Sequence, residues 1–308
     1  MSAAEFEWSD LRFFLAVART GKLTLAARHL AVEHSTVSRR IAALEASLGA
    51  KLFDRHPAGY GLTAQGERLF ASAEAMETLA TAVQQDIGGA DLGVSGTVRV
   101  GAPDGFGTVF LAPCLGRLAL AHPALEIQLL AMPRVFNLTK READIAISLS
   151  RPKHGRLHAR KLTDYELRLY AARDYLAAHG PIETRAALLR HTFISYVDDL
   201  LYAPELDYTP LVTRDLRPRL KSSSVVAQYR AVKAGAGVAV LPRFMADSDA
   251  DLVPLLADDV RLTRTLWLIT HADTRTLARV QVAADFIARE VQEQRGLFMP
   301  QEEARRRP

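Results

Sequence analysis

The sequence predicts a protein of the α/β class, with an all-α helix-turn-helix region first, a long linker helix next and an α/β region in the remainder. Three observations lead to this prediction. Residues 23–48 are typical of two helices joined by a tight turn, and residues 64–87 carry a long apolar heptad repeat without proline. Beyond residue 96, segments typical of strands and helices alternate. A chain of 308 residues is long enough for about two domains of roughly 150 residues each.

The composition favours a reducing compartment and permits contact with a polyanion. The formal net charge is +4 and the isoelectric point is near 9.3, so the chain is mildly basic. A single cysteine, Cys114, excludes an intrachain disulfide. Residues 1–7 lack the pattern of a signal peptide, and no apolar stretch approaches the roughly 20 residues that span a bilayer. We therefore expect a cytoplasmic protein that makes no membrane contact.

The segment 23–48 predicts a DNA-recognition helix. Its second helix, which begins after the turn at residues 31–33, carries apolar residues at positions i, i+4, i+7 and i+11, which are Val37, Ile41, Leu44 and Leu48. That stripe is expected to face inward, which leaves the opposite side near the helix start to His34, Ser35, Ser38 and Arg39. An α-helix fits the major groove of duplex DNA, where such side chains reach phosphates or base edges. The segment therefore predicts binding to double-stranded DNA.

A helix before this segment and a hairpin after it complete a predicted winged helix. The first helix is expected at residues 8–20, with Ser9 as its N-cap and Gly21 as its C-terminal stop. Residues 51–55 are typical of a short strand, residues 56–61 of a turn, and residues 62–63 close the hairpin. The hairpin, or wing, is expected to lie beside the groove that the third helix enters.

The heptad repeat at residues 64–87 predicts a helix that pairs with a second copy of itself. The residues at its a and d positions are Leu69, Ala73, Met76, Ala80, Val83 and Ile87. A helix roughly 36 Å long with a narrow apolar seam more often meets another helix than a globular core. The alternative is a core helix of the first domain. A dimer would present two recognition helices to half-sites about 34 Å apart.

Beyond a glycine-rich linker at residues 88–96, the pattern predicts a mainly parallel sheet flanked by helices. Strands are expected at residues 97–102, 125–131, 144–149, 167–171, 193–195 and 238–241. Helices are expected at residues 109–121, 134–141, 173–178, 224–234 and 276–294. Roughly 200 residues accommodate two such lobes. Open sheets of this kind bind ligands at the carboxyl ends of their strands.

The amino-terminal residues resemble the LysR-type transcriptional regulators. The resemblance runs from residue 14 to residue 66, and its most specific parts are the runs 37–41 (VSRRI), 52–55 (LFDR) and 62–66 (LTAQG). It implies that one group of side chains contacts DNA, namely His34, Ser35, Thr36, Ser38 and Arg39, and that Arg55 grips the DNA backbone near the wing. It also implies a homodimer that pairs through the linker helix and assembles further into a homotetramer.

Several residues depart from the family pattern. Glu33 stands where the family usually has a small hydroxyl-bearing N-cap, and glutamate caps a helix less well and repels nearby phosphate. His34 and Ser35 replace a common Gln-Pro pair, and Ala58 replaces a common basic residue of the wing. A different base preference and a weaker wing contact are therefore expected.

The remainder of the chain resembles, more loosely, the effector domain of the same family, which is built like a periplasmic binding protein. The runs 97–101 (TVRVG), 144–147 (DIAI) and 231–242 (AVKAGAGVAVLP) carry this resemblance. It implies a two-lobed α/β domain in which a small-molecule effector binds between the lobes and modulates operator binding.

The loop at residues 103–107 is a candidate for ligand contact, because it follows the first strand of this region and opens a helix. Its backbone N–H groups would favour an anion, whereas the Asp104 carboxylate would suit an amine or a hydroxyl. The candidates for effector contact come from this loop and from segments near two later elements, and they are Asp104, Gly105, Phe106, Ser195, Tyr196 and Ser223. N-capping of a helix is the alternative role for the serine run at 222–224.

No catalytic, cofactor or metal site is expected. Gly235 and Gly237 precede a strand, so they indicate the end of a helix and not a dinucleotide-binding loop. The histidines lack the spacing of metal ligands, and Cys114 is expected in the core. A substrate-binding or enzymatic α/β protein with an incidental helical cap is the alternative, and it predicts a catalytic constellation or an export signal. The sequence shows neither pattern.

These predictions divide the chain into four parts. A winged helix-turn-helix is expected at residues 1–62, and a linker helix with a hinge at residues 63–94. An effector-binding domain of two α/β lobes is expected at residues 95–296, and a basic tail at residues 297–308.

Overall fold

A computed structural model describes residues 7–57, 59–87, 94–138, 142–152 and 154–300. The chain divides into two compact units, Met1–Leu92 and Gly93–Pro308, and each is described by itself. Of the helices that fall within those described ranges, none combines the length and apolar character that a bilayer span requires.

The first unit is a winged helix followed by a long helix. Its elements are α1 Asp10–Thr20, α2 Leu23–Leu30, α3 His34–Leu48, β1 Phe53–His56, β2 Gly59–Leu62 and α4 Ala64–Ile87. The two strands pair antiparallel as a hairpin. The core lies where α1, α2 and α3 meet, and its fully buried members are Phe14, Val17, Ala26, Val37 and Leu44. The predicted winged helix-turn-helix is confirmed.

The wing is anchored on the turn between α1 and α2. The backbone N–H of Tyr60 donates to the carbonyl oxygen of Gly21 at 2.8 Å. A Cβ atom on Gly59 would lie 2.3 Å from that same oxygen, and Gly59 has a φ of +138°. Only glycine fits such a close approach of two backbones in this conformation. The hairpin is therefore held beside the helix-turn-helix by main-chain contacts.

The apolar stripe of α3 is one turn shorter than predicted. Val37, Ile41 and Leu44 are buried, but Leu48 is 38% exposed because α3 has passed the core by that turn. Gly49 then ends the helix in the left-handed conformation, as its position predicts.

The beginning of α4 packs on the first unit, whereas its middle does not. Ala73 is buried and Leu69 is half-buried against the core that α1 contributes to. Met76 is 36% exposed and Ala80 is exposed. The burial of Ala73 therefore fits the alternative prediction of a core helix for the first three turns. The side chains of Val83 and Ile87 lie outside the described residues.

The second unit is built on one nine-stranded mixed sheet. Its strands are β3 Gly96–Ala102, β4 Leu125–Ala131, β5 Ile145–Ser148, β6 Leu157–Ala172, β7 Phe193–Ser195, β8 Leu220–Lys221, β9 Val238–Pro242, β10 Leu252–Leu255 and β11 Arg261–His271. The order is β4-β3-β5-β11-β6-β9-β7-β8, with β10 paired to β6. The helices are α5 Asp104–Phe106, α6 Ala112–Ala121, α7 Arg173–His179, α8 Thr209–Val212, α9 Val225–Lys233, α10 Arg243–Ala246, α11 Ala278–Glu293 and α12 Arg295–Phe298.

The prediction of a mainly parallel sheet is wrong at the centre. The strands at the two ends pair in parallel, β3 with β4 and β5, and β7 with β8 and β9. Between them, β11 pairs antiparallel with β5 and β6, and β6 pairs antiparallel with β9 and β10. We call the β3–β5 end with α5, α6 and α11 the first lobe, and the β7–β10 end with α7, α9 and α10 the second lobe. The long strands β6 and β11 run through both.

A predicted helix at residues 134–141 is also wrong over its described part. Residues 134–138 form a loop, and residues 139–141 lie outside the described residues. Phe136 and Leu138 are both buried, which is the two-residue period of an extended segment and not of a helix. A Cβ atom on Gly101 would lie 2.6 Å from the Phe136 ring, so this loop packs directly on β3.

The predicted basic tail begins with residues that belong to the fold. The short helix α12 spans Arg295–Phe298, and Phe298 is 0% exposed. Its ring contacts those of Phe106, Phe110 and Phe244 at centroid distances between 5.0 and 6.0 Å. Residues 301–308 lie outside the described residues.

Candidate DNA interface and ligand cavities

The predicted DNA-contacting residues of α3 lie in its first turns, opposite the buried stripe. His34, Ser35 and Arg39 are exposed, and Thr36 and Ser38 are half-buried. Glu33 is the N-cap residue, and its side chain makes no capping hydrogen bond. The first N–H groups of a helix have no partner within the helix, so this end of α3 suits a phosphate oxygen. The Glu33 carboxylate adds a negative charge beside it.

Arg39 and Arg40 have different surroundings. Arg40 donates from Nη1 to the buried Asp10 carboxylate at 3.1 Å, and its guanidinium lies 5.7 Å from the centroid of the Phe13 ring. Arg40 therefore ties α3 to α1. Arg39 is exposed on the polar face. Of these two arginines, Arg39 is the one whose side chain is free to reach a polyanion.

Arg55 lies on the exposed side of the wing. It is opposite Tyr60 in the hairpin register, and its guanidinium is 5.6 Å from the centroid of the Tyr60 ring. This stacking holds the charged end of the side chain over the hairpin, at an exposed position. A cation held in this way can meet a DNA phosphate beside the helix.

Glu45 joins α3 to the start of the wing. Its carboxylate accepts hydrogen bonds from the backbone N–H groups of Leu52 at 2.8 Å and Phe53 at 3.3 Å, and from Lys51 Nζ at 2.7 Å. Burial acts to raise the pKa of Glu45, but these hydrogen bonds outweigh it, and the pKa lies below its ordinary value of 4.5. The sequence does not indicate this contact, because Glu45 has the pattern of a solvated helix residue.

In the second unit, four of the six predicted ligand contacts line one small cavity. Asp104, Gly105, Phe106 and Tyr196 surround a volume of about 30 Å³, which is room for a single water molecule. The Ser195 hydroxyl is hydrogen-bonded to the Thr209 hydroxyl at 3.0 Å. Ser195 and the half-buried Ser223 are not among the residues that line this cavity.

Ser224, and not Ser223, meets the predicted acid. The Ser224 hydroxyl donates to Asp104 Oδ2 at 2.6 Å, and its oxygen accepts from the backbone N–H of Ala227 at 3.2 Å. The second bond is the N-cap of α9, so the alternative role of the serine run is correct for Ser224. The first bond joins the two lobes, and no pattern in the sequence indicates it.

Four tyrosines surround the same small cavity. They come from distant parts of the chain, which is why no spacing in the sequence indicates them: Tyr165, Tyr196, Tyr202 and Tyr208. Burial raises the pKa of each phenol, and the negative charge of Asp104 raises those of Tyr196 and Tyr202 further. The hydroxyls therefore stay protonated and can donate hydrogen bonds.

A larger cavity of about 520 Å³ adjoins the small one. Pro103, Leu149 and Tyr202 line both. One side of the larger cavity is apolar and comes chiefly from Phe136, Leu138, Ala146, Leu157 and Ile269. The other side carries polar and basic groups, chiefly Asn137, Ser148, Ser150, Arg151 and His154. A volume of this size suits a small organic molecule.

Metal chemistry has no support among the described residues. No group of three or more His, Cys, Asp or Glu side chains in those ranges could hold a metal ion. Cys114 is buried beside Glu290 and Arg117, as its core position predicts. Burial, and then the charge of Glu290, raises the pKa of its thiol.

Comparison with known proteins gives matches to both units. Residues 8–67 match the family described as "Bacterial regulatory helix-turn-helix protein, lysR family", and residues 92–292 match the "LysR substrate binding domain". The HTH-type transcriptional regulator PtxR of Pseudomonas aeruginosa is 30% identical over 242 residues, which are 77% of this chain and 77% of PtxR.

Two solved structures resemble the whole chain. The LysR-type transcriptional regulator CrgA from Neisseria meningitidis is similar with a TM-score of 0.59 and 25% identity, over 92% of this chain and 98% of that chain. A full-length OxyR variant from Pseudomonas aeruginosa has a TM-score of 0.70 and 18% identity, over 92% of this chain and 98% of that chain. The second likeness concerns the fold alone.

Proposed function

The chain belongs to the LysR family of bacterial transcriptional regulators, and we propose that it binds operator DNA through α3 while a small molecule in its second unit modulates that binding. As a member of this family it is a DNA-binding transcriptional regulator with an effector-binding domain, and it is not an enzyme. One observation carries the assignment of the DNA interface: the exposed polar face of α3 lies opposite a buried apolar stripe.

The DNA contacts proposed are those predicted from the sequence, namely His34, Ser35, Thr36, Ser38, Arg39 and Arg55. The fork of donors on Arg39 suits the acceptor edge of guanine or a backbone phosphate. His34 and Ser35 lie at the helix start, where a phosphate is favoured. Arg55 contacts the backbone from the wing. The negative charge of Glu33 disfavours a phosphate on its own side of the start of α3. The DNA backbone is therefore expected to approach from the other side.

The proposed active form is a homodimer that pairs through α4 and assembles into a homotetramer. Met76 and Ala80 are exposed on the side of α4 that carries the heptad repeat, and this supports pairing there. Removal of the apolar Met76 side chain from water is favourable in free energy. Two copies would place two α3 helices on half-sites of one operator.

The proposed effector site is the cavity of about 520 Å³ together with the small cavity that Asp104 lines beside it. The larger cavity has room for a metabolite, whereas the smaller has room only for water. Arg151 and His154 favour a negatively charged group at the polar side, and the apolar side favours a hydrocarbon or ring. Tyr202 lies between the two spaces, so a ligand in one changes the surroundings of Asp104 in the other.

Effector binding can change transcription only if the effector prefers one arrangement of the protein over another. The bond between Asp104 and Ser224 fixes one separation of the two lobes, and a ligand at that point would compete with it. We propose that lobe closure is the step that the effector biases. A regulator of this kind works in the cytoplasm, where its DNA is.

The proposed domain organisation keeps the winged helix at residues 1–62 and the linker helix and hinge at 63–94, but it extends the effector-binding domain from 95–296 to include α12, because Phe298 is buried in the core of this unit. The division of the described contacts between Leu92 and Gly93 supports the second of these boundaries.

The test is selection of duplexes from a random-sequence DNA library by the full chain, followed by footprinting of the selected site. The proposal predicts two protected half-sites whose centres are one helical turn, or a multiple of it, apart. Selection of no sequence, or protection of a single half-site, would contradict it. The same selection with Arg12→Ala, an exposed arginine of α1, is the control and should give the same site.

A further inference from the structure

A third cavity, of about 420 Å³, lies in the second lobe. It is formed by the 3-10 turn Ala187–Arg190, the two residues after that turn, and the segment 215–219 that leads into β8. None of its lining residues lines the two cavities described above. We call it the arginine pocket, after its members Arg190, Arg217 and Arg219.

The arginine pocket concentrates positive charge. Some arginines elsewhere in this unit have carboxylate partners, as in Arg160 with Asp285 and Arg168 with Glu166. Among the residues that the structure describes, no carboxylate makes an ion pair with any of the three arginines of the pocket. Asp215 is the one acid that lines it. Three cations and one anion around a concave space leave a net charge that a bound anion would neutralise.

Arg217 is already oriented before any ligand arrives. Its Nη1 donates to the backbone carbonyls of Arg214 at 3.1 Å and Leu216 at 3.0 Å. These bonds hold one edge of the guanidinium against the chain and leave other N–H groups for a ligand. A side chain held in this way loses less rotamer freedom on binding than a free one.

The remaining lining defines the size and polarity of the ligand. Leu189, which is 50% exposed, gives the pocket an apolar wall, and Thr192 adds a hydroxyl. The His191 ring lies with Nδ1 3.3 Å from the Tyr175 hydroxyl. Guanidinium groups bind phosphate oxygens in a bidentate fashion, and a phosphate carries nearly two charges where a carboxylate carries one. Three clustered guanidiniums therefore favour a phosphate over a simple carboxylic acid.

We propose that the arginine pocket is a second ligand site, which takes a small phosphate-bearing anion and is independent of the effector cavity. Its ligand would be a phosphorylated metabolite whose phosphate group lies against Arg190, Arg217 and Arg219 and whose small organic part rests on Leu189.

His191 reports on occupancy of the pocket. Burial lowers the pKa of His191, and the positive charges of His179 and Arg190 lower it further. The titratable and charged groups that face the ring are His179 and Tyr175 from α7, Arg190 from the 3-10 turn, and Asp215, Arg217 and Arg219 from the facing segment. An anion among them offsets the positive field, so its binding would raise the pKa of His191 and would tighten as the pH falls.

The experiment is calorimetric titration of the full chain with sodium pyrophosphate at constant ionic strength. In wild type, the tightest class of site is expected to be the arginine pocket. The variant Arg217→Ala/Arg219→Ala should bind at least about tenfold more weakly, because it loses two of the three guanidinium groups that face the anion. The variant Arg230→Ala removes an exposed arginine of α9 outside the pocket and should bind as wild type does.

A second readout keeps the result clear if the double variant folds poorly. Arg219→Ala alone removes an exposed side chain. In wild type, pyrophosphate should shift the ring resonances of His191 in an NMR titration and raise its pKa, and in Arg219→Ala that shift should be smaller. No heat and no shift in wild type would overturn the proposal. Equal binding by wild type and both pocket variants would overturn it as well, because it would place the anion elsewhere.

Discussion

Asp104 and Ser224 belong to different lobes of the second unit, and one hydrogen bond of 2.6 Å joins the Ser224 hydroxyl to the Asp104 carboxylate. The same hydroxyl oxygen caps α9 by accepting from the backbone N–H of Ala227. Asp104 is only 6% exposed. The Ser224 side chain therefore takes part both in the N-cap of α9 and in the contact between the lobes, so a change in one affects the other.

Replacement of Ser224 should destabilise the second unit more than replacement of its neighbour. Ser224→Ala removes the N-cap of α9 and leaves the buried Asp104 carboxylate without its donor. We expect a loss of about 1–3 kcal/mol in the free energy of unfolding, from the cap and the unpaired acid together. Ser223→Ala is the matched control and should cost less than about 0.5 kcal/mol. Thermal or denaturant unfolding of the two variants measures the difference, and equal losses would contradict the prediction.

The effector should be found by a thermal-shift screen of small acids, amines and aromatic compounds against the full chain. A compound that binds the folded state alone raises the unfolding temperature by mass action. For an acid that raises the unfolding temperature of wild type, Arg151→Ala should reduce this rise by at least half, because Arg151 lines the polar side of the cavity of about 520 Å³. Arg275→Ala, an exposed arginine that does not line the cavity, should leave the shift unchanged. An acid whose thermal shift is the same in Arg151→Ala as in wild type would bind outside this cavity.

Glu45 should make the stability of the winged helix depend on acid pH. Its pKa is lowered in the folded chain, so its contribution is fully present above its ordinary pKa of 4.5 and is lost as the pH falls through the lower folded value. Glu45→Gln should lower the free energy of unfolding of this unit by about 1–2 kcal/mol at neutral pH. It should also remove this part of the acid sensitivity.

Hydrogen exchange at the Leu52 and Phe53 amides is the sharpest measurement of that effect, because Glu45 accepts from both. Exchange should accelerate in Glu45→Gln and in wild type at low pH, after correction for the intrinsic rate. Glu67→Gln, which changes an exposed acid of α4, should leave these amides as protected as in wild type. Unchanged protection in Glu45→Gln would show that the carboxylate does not hold the wing.

Pairing through α4 should depend on Met76. Met76→Glu places a charge on the predicted seam and should raise the dimer dissociation constant at least about tenfold, because burying an unpaired charge costs several kcal/mol. Sedimentation equilibrium measures the constant. Arg68→Glu, an exposed position of α4 off the seam, is the control and should dimerise as wild type does. An unaltered constant in Met76→Glu would place the dimer interface outside this part of α4.

Local pattern in the sequence predicted the first unit well. The periodicity of Val37, Ile41 and Leu44 predicts the buried side of α3, and Gly21 and Gly49 end helices where the pattern places them. Such features are local, because helix period and capping depend on residues within a few turns of one another. Leu48 was assigned to the stripe because periodicity alone does not show where the core ends.

The second unit was predicted less well, because its centre depends on contacts between distant residues. The first half of β6 has polar and charged side chains, so only its apolar end at residues 167–171 was recognised as a strand. The four tyrosines of the small cavity come from β6, from the end of β7 and from the loop after it, and only their meeting in space marks the site. The bond from Ser224 to Asp104 spans 120 residues in sequence.

The salt dependence of duplex binding by wild type and Arg39→Ala tests most directly whether the polar face of α3 is the DNA interface. Fluorescence anisotropy with the selected operator would give the affinity at several salt concentrations, with Arg12→Ala as the control. Wild type should lose affinity steeply as salt rises, and Arg39→Ala should bind about tenfold to a hundredfold more weakly while remaining a dimer. If Arg39 contacts a phosphate, the slope should also fall by about 0.9. Equal affinity and equal slope in wild type and Arg39→Ala would contradict the assignment.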